Sequence, residues 1–179
     1  MASLNDNLFT RLVNHPNQQE FGCYLQTARG ASKICMTSGG LAALLFEDGA
    51  RAETRDDSVF RAPFIQWLHA FQNMSLKEKW SQLAPQGTKF QQAVWRALLE
   101  IPLGQRVTYK EIATRIGQSK ASRAVGSAIA ANPIALLIPC HRAVPAVGGT
   151  GNYRWGAERK LALLEAEQLE RVDLYQLFQ

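Results

Sequence analysis

The chain has 179 residues, 19.9 kDa, 46% hydrophobic and 20% charged residues, the make-up of one ordinary globular domain or two small ones, not of a disordered or collagen-like chain. Its apolar runs, such as Leu41 to Phe46 and Ile134 to Ile138, fall far short of the roughly 20 residues that cross a bilayer. The start, Met1 through His15, lacks the basic flank and apolar core of a secretion signal. Three cysteines, Cys23, Cys35 and Cys140, are too few for a disulfide framework. These features lead us to expect a cytoplasmic protein, nuclear if the cell has a nucleus, with no membrane partner. The formal charge of +5 is unevenly spread: residues 1–84 hold eight Lys/Arg and eight Asp/Glu, residues 85–160 eleven against three, and residues 161–179 one against four. Such an asymmetry suits a phosphate-contacting surface, although a solvated basic face would give the same count.

In chain order, Phe21, Cys23 and Leu25 alternate with smaller or polar residues, followed by Ser32 to Met36 and Leu41 to Phe46, with Gly30 and Gly39-Gly40 between. The pattern predicts a small antiparallel meander. A helical period then places Phe64, Trp67, Leu68 and Phe71 on one face, with Asp56, Asp57 and Ser58 as capping candidates. Asn73 to Gly87, containing Pro85, reads as a linker. The division expected is residues 1–84, an α/β domain with its linker, and residues 85–179, a mostly α domain.

Three helix starts mark the second region. Thr88 with Gln91 forms a capping box before a helix whose stripe is Phe90, Val94 and Leu98, with Trp95 beside it. Thr108 with Glu111 forms another, before a helix burying Ile112, Ala113 and Ile116 and stopping at Gly117. Ser119 is expected to cap a third, from Lys120 to about Ala131, ended by Asn132-Pro133. Two short helices around a glycine turn suggest a helix-turn-helix. The third helix carries Ala121, Ala124, Gly126, Ser127, Ala128, Ala130 and Ala131, with Arg123 its one long side chain beyond Lys120. Small residues favour close approach in a narrow groove over base reading in a wide one, or else tight contact with a neighbouring helix.

Ile134 to Ile138 reads as a buried strand or core segment, and Pro139-Cys140-His141-Arg142 follows. A thiol attacks as its thiolate, and an unperturbed pKa of about 8.5 leaves little of it at neutral pH. An imidazole with an acidic orienting partner takes up the proton. Neighbours in an extended chain point apart, so Cys140 and His141 cooperate only through a turn, which Pro139 favours, or through a bridging water.

Thr88 to Leu98, Val107 to Ala113, Arg123 to Gly126, Ile138 to Val144 and Asn152 to Gly156, in this order and spacing, closely resemble the O6-alkylguanine-DNA alkyltransferases, or methylated-DNA-protein-cysteine methyltransferases. Tyr153-Arg154-Trp155-Gly156 is particularly similar to the C-terminal half of the bacterial Ada protein and its stand-alone relatives. The resemblance implies a ribonuclease-H-like α/β N-terminal domain, a small antiparallel sheet plus helix, and a winged-helix or helix-turn-helix-like C-terminal domain. It implies direct repair of double-stranded DNA: single-turnover, irreversible transfer of a methyl or other alkyl group from flipped O6-alkylguanine, and from O4-alkylthymine, to Cys140.

In that resemblance His141 is the base acting through water, and Glu167, not Glu165, is its orienting carboxylate. Tyr109 crowds the phosphate and donates a proton to the departing guanine. Arg123 fills the vacated stack, with Ala124, Gly126 and Ser127 beside it on the DNA-binding helix, and Asn132 ties the helix end to the cysteine turn. Gly148 to Tyr153 closes the base pocket, with Tyr153 as its wall. The main chain of Cys140 and Ala143 accepts from the guanine, the Arg154 amide approaches O6, and Trp155 narrows the pocket. No metal, nucleotide or other cofactor is needed, and a monomer is expected without DNA. Cys23, Cys35, His15 and His69 match no compact zinc spacing. The alternatives are a non-catalytic alkylation-damage sensor or DNA-binding regulator, against which Cys140 argues, and a thiol redox sensor.

Overall fold

The computed structural model describes residues 20–27, 30–47 and 58–168, and the chain forms two compact units that meet at Pro85 and Gln86. The first unit contains strands β1 (Glu20–Thr27), β2 (Gly30–Thr37) and β3 (Gly40–Glu47), an antiparallel sheet in the order β1-β2-β3. Alternation along β2 buries Ser32, Ile34 and Met36. In β3 Leu44 and Phe46 keep that phase, whereas Leu41 is inward by an odd step. A register shift between Cys35 and Met36 absorbs the extra residue.

Helix α1 (Ser58–Gln72) buries Phe64, Trp67, Leu68 and Phe71, the face expected from the sequence. Ser58 begins the helix instead of preceding it, and Asp56 and Asp57 lie outside the described residues. The segment expected to be a linker is instead structured. Ser75 and Glu78 form a capping box that starts α2 (Leu76–Ser81). The chain after α2 then pairs with the start of β3, Leu41 N donating to Gln82 O at 2.9 Å and Ala84 N to Leu41 O at 2.8 Å. Gly40, at φ 125°, permits this: a Cβ there would stand 2.4 Å from the Gln82 carbonyl oxygen.

The second unit begins with α3 (Lys89–Leu99), capped by Thr88 and Gln91, and buries Val94, Trp95, Ala97 and Leu98; Phe90 is half-buried. Strand β4 (Val107–Thr108) leads into α4 (Tyr109–Arg115), where the Thr108–Glu111 box forms as expected. Gly117, at φ 72°, turns the chain. The third helix, α5 (Ser122–Ala130), starts later than expected and Ser119 does not cap it. Residues 118–121 close a turn of their own, Ala121 N donating to Gln118 O at 2.8 Å, and Ala121 becomes the cap without a side-chain bond. The Trp95 indole ties α3 to α5, donating to Ala128 O at 2.8 Å.

Ile134 to Ile138 is buried as expected, but as a turn, with Ile138 N donating to Ile134 O at 3.2 Å. Leu136 takes φ 67° there, a left-handed conformation that costs a side chain energy and that the surrounding core holds in place. A 3-10 turn, Cys140–Arg142, and strand β5 (Ala143–Val144) follow. Strand β5 runs parallel to β4, pairing Val107 with Ala143 and Thr108 with Val144. That short ladder sets the first turn of α4 beside the cysteine turn. Helix α6 (Ala157–Gln168) completes the described chain. Among the described residues no helix is long and apolar enough to cross a membrane.

Candidate active site

Cys140 and His141 lie in a tight 3-10 turn, Cys140–Arg142, in which successive side chains stand about a third of a turn apart and not on opposite sides as in a strand. Both residues are inside: Cys140 is 2% exposed and His141 1%. Asn132, fully buried just beyond α5, holds the turn. Its Nδ2 lies 3.1 Å from Ile134 O, 2.9 Å from Ile138 O and 3.1 Å from Cys140 Sγ, and its Oδ1 accepts from Ile134 N at 3.0 Å. One amide thus ties the helix end to the sulfur. Burial pushes the Cys140 thiol up, opposed by the Asn132 hydrogen bond and then by the Lys160 charge.

His141 and Glu167 meet at 2.6 Å through Nε2 and Oε1. Burial pushes the imidazole down despite the carboxylate, so the ring is neutral. Glu167 is held down to about 2: burial raises it, but hydrogen bonds from His141 and Arg142 and their charges outweigh burial. An ionised carboxylate accepts only, so the ring proton sits on Nε2 and the lone pair on Nδ1. That Nδ1 is buried with no protein partner among the described residues. The arrangement is a neutral base with one nitrogen fixed and the other free.

Arg142, which sequence reasoning left without a role, clamps the same carboxylate. Its Nε donates to Glu167 Oε2 at 3.0 Å, Nη2 to Oε1 at 2.9 Å, and Nη1 to Ile101 O at 2.6 Å. Gly104 N adds a contact at 3.3 Å to Oε2. Lys160, also passed over, is 1% exposed and donates to Ala143 O at 2.6 Å. A signal for it was present. Lys160, Leu163, Leu164 and Glu167 are the buried residues of α6, and their i, i+3, i+4, i+7 spacing is one helical stripe that starts and ends on a charge. The same phase selects Glu167 over the exposed Glu165.

Tyr109 and Tyr153 stand at the mouth of the cysteine turn. Both phenols are raised by burial first and by the Cys140 charge second, which keeps them protonated. The Tyr153 hydroxyl is buried beside the Cys140 thiol, where its hydrogen bonding opposes the upward push of burial on the sulfur, and its ring meets Trp155 edge-on at 5.3 Å. The exposed Arg154 guanidinium lies 5.5 Å from the centre of the Trp155 ring. In the loop between β5 and Tyr153, Gly151 has φ 71° and runs so close that a Cβ would stand 2.8 Å from the Tyr109 hydroxyl and 2.8 Å from Pro145. On α5, Arg123, Ala124 and Ser127 are exposed, Gly126 is half-buried near the Tyr109 ring, and Val125, Ala128 and Ile129 face inward. The small residues at 124 and 127 therefore line an open surface and are not packed on a neighbouring helix. The structure gathers Cys140, His141, Glu167, Asn132, Tyr109, Tyr153 and Ala143 around one turn and leaves Arg123, Ala124 and Ser127 on the outer face of α5. Among the described residues no three His, Cys, Asp or Glu side chains are grouped to hold a metal ion.

A buried thiol in one turn with a carboxylate-fixed imidazole, next to a short helix with a small-residue outer face, is an arrangement able to supply a nucleophile. Residues 89–169 match the family described as 6-O-methylguanine DNA methyltransferase, DNA binding domain. A methylated-DNA–protein-cysteine methyltransferase of Methanosarcina mazei is 44% identical over 134 residues, 72% of this chain and 85% of that protein. The bifunctional transcriptional activator and DNA repair enzyme Ada of Escherichia coli is 55% identical over 87 residues, 48% of this chain but 25% of Ada. Among solved structures, Mycobacterium tuberculosis OGT in complex with DNA superposes with a TM-score of 0.67 at 35% identity, over 87% of this chain and 98% of that one. The chain belongs to the methylated-DNA–protein-cysteine methyltransferase family.

Proposed function

We propose that this chain repairs DNA by direct reversal, moving an alkyl group from O6-alkylguanine onto Cys140 in a single irreversible step. One observation carries this reading: Cys140 Sγ is fixed by Asn132 next to a neutral His141 whose Nε2 is committed to ionised Glu167. Such an imidazole can take a proton only at Nδ1. The Cys140 proton passes through a bridging water to that nitrogen. The thiolate attacks the alkyl carbon, the C–S bond forms as the C–O6 bond breaks, and the electron pair leaves on guanine. Tyr109, protonated and close to the site, returns a proton to the departing base. A thioether does not hydrolyse, so each molecule acts once.

The base must first leave the helix, because its O6 substituent is out of reach in a duplex; flipping costs on the order of a few kcal/mol. Arg123, exposed on α5, enters the stack and offsets part of that cost, while Ala124, Gly126 and Ser127 let the helix backbone approach the minor groove. With Cys140 only 2% exposed, the Gly148 to Tyr153 loop must yield to admit the base. Tyr153 and Trp155 then form its wall, and the main chain of Cys140, Ala143 and Arg154 contacts it. The partner is double-stranded DNA, O4-alkylthymine is a second substrate, and the protein acts as a monomer until it meets DNA. Residues 85–179 carry binding and chemistry, and residues 1–84 form the variable domain.

Incubation with a duplex containing O6-methylguanine, followed by peptide mass spectrometry, tests the proposal. We expect one added methyl on the Cys140 peptide, and Cys140→Ser that still binds DNA but gains none. A methyl on the serine variant would defeat the assignment. Binding with no methyl on the wild type would instead favour a damage sensor, and reversible oxidation alone a redox role.

A further inference from the structure

Among the described residues, the carboxylate of Glu167 is surrounded by donors. Oε1 faces His141 Nε2 at 2.6 Å, Arg142 Nη2 at 2.9 Å and Arg142 Nε at 3.1 Å, while Oε2 faces Arg142 Nε at 3.0 Å and Gly104 N at 3.3 Å. A guanidinium and a peptide N–H never accept, so of these groups only the imidazole nitrogen could receive a hydrogen bond from a protonated carboxyl. An extra proton on the Glu167–His141 pair therefore has two placements: on both ring nitrogens, or on the carboxyl and Nδ1 with Nε2 now accepting. Both fill Nδ1, and a filled nitrogen takes no proton from Cys140.

We propose that Arg142 is a positioning residue that keeps Nδ1 of His141 bare, and so sets the acidic limit of the reaction, by holding both oxygens of Glu167 with an anchored guanidinium. The anchor is Ile101 O, just past the end of α3, to which Nη1 donates at 2.6 Å. It fixes the plane of the fork without using the carboxylate, and a planar fork reaches two oxygens at once where a lysine would offer one point charge. The direction of titration agrees with the geometry. Burial raises Glu167, and the hydrogen bonds of His141 and Arg142 bring it down to about 2. Burial lowers His141, the carboxylate pulls it up, and the Arg142 charge lowers it again. The other titratable groups around the pair are Lys160 on α6, Cys140 of the turn and Tyr153 of the loop. Lys160 donates to Ala143 O, and Cys140 and Tyr153 are pushed up by burial and stay protonated. Apart from the histidine itself, Arg142 is the one cation paired with Glu167 among the described residues.

The inference rests on the repair reading, in which Nδ1 receives the Cys140 proton, and two measurements on the full chain test it. The first is the pH profile of single-turnover methyl transfer from a duplex containing O6-methylguanine. Arg142→Met, which keeps the stem, and Arg142→Gln, which keeps a donor for Ile101 O, should both move the acid limb upward by about one pH unit. On that limb the rate falls about tenfold, the factor of one unit, and it recovers toward the wild-type plateau at higher pH. Arg142→Lys should lie between them and the wild type. A loss equal at all pH values, or a Gln variant with the wild-type limb, would reduce Arg142 to a structural anchor. The second measurement needs no DNA: the nitrogen-15 spectrum of the His141 ring separates bare from protonated nitrogens. In the wild type Nδ1 should stay bare well below 6.5, the ordinary histidine value, and in Arg142→Met it should fill at a higher pH than in the wild type. Should the variants fail to fold, the wild-type ring decides alone, because protonation of Nδ1 near the ordinary value overturns the idea. If no methyl reaches wild-type Cys140 the repair reading fails, and the spectrum still judges the hold of Arg142 on the pair.

Discussion

In the unit that ends at Pro85 the buried side chains among the described residues are apolar apart from Ser32, whereas the unit that begins at Gln86 encloses Asn132, His141, Lys160 and Glu167. The first interior is what a strand alternation and a helical stripe produce when nothing but burial acts on them. The second contains groups whose desolvation opposes folding unless each finds a partner. All four of its polar side chains lie within the cysteine turn and its supports, and each bond between them also fixes an atom of the candidate site. Stability and chemistry share one network there and are separable in the first unit.

That contrast can be broken by mutation and pH. Glu167→Gln leaves Arg142 and His141 without their anion, and removing one partner of a buried pair costs on the order of 3–5 kcal/mol. Leu68→Ala, in the apolar core of the first unit, should cost about 3 kcal/mol. Glu167 and His141 both have folded pKa values below their unfolded ones. The unfolded chain therefore binds more protons, and stability present at neutral pH is lost as pH falls. The loss begins below roughly pH 6.5 with histidine and continues from about 4.3 toward 2 with the carboxylate. Urea denaturation at a series of pH values should show this slope in the wild type and in Leu68→Ala, and below about pH 4.3, where the carboxylate titrates, a flatter one in Glu167→Gln. Equal slopes in all three would end the contrast.

A second test sharpens it at the pocket. Trp155 is half-buried against Tyr153, and its bulk should favour methylguanine over a benzyl analogue. Trp155→Gly should raise the benzyl rate relative to the methyl rate by about tenfold, the size of effect that pocket shape delivers. An unchanged ratio would remove Trp155 from the pocket. The smallest effect belongs to the capping boxes, compared through Ser75 of the first unit and Thr108 of the second. Ser75→Ala and Thr108→Ala should each cost about 1 kcal/mol, but only Thr108→Ala, at the helix that begins with Tyr109, should also slow alkyl transfer.

The meander, the buried face of α1 and the capped starts of α3 and α4 were legible because periodicity and caps act over a few residues. Where reading failed, a longer-range contact had intervened. The supposed linker contains a capped helix whose following residues pair with β3 through Leu41, and the apolar run before Cys140 folds as a turn around Asn132. Ser119 looked like a cap, but it lies inside the turn closed by Ala121 and Gln118, and α5 starts after Ala121.

By itself, the sequence determined the meander, the buried face of α1, the capped starts of α3 and α4, the basic middle segment and the Cys140–His141 pair, and through its resemblance the family. The partners of that pair were a tertiary matter. A carboxylate twenty-six positions away from the histidine it orients, an arginine that shares it and a lysine turned inward on the same helix become neighbours only when β5 pairs with β4 and α6 folds over the turn. Local pattern records which face of an element is dry. It does not record which buried charge will meet which, because that depends on distances closed by the fold.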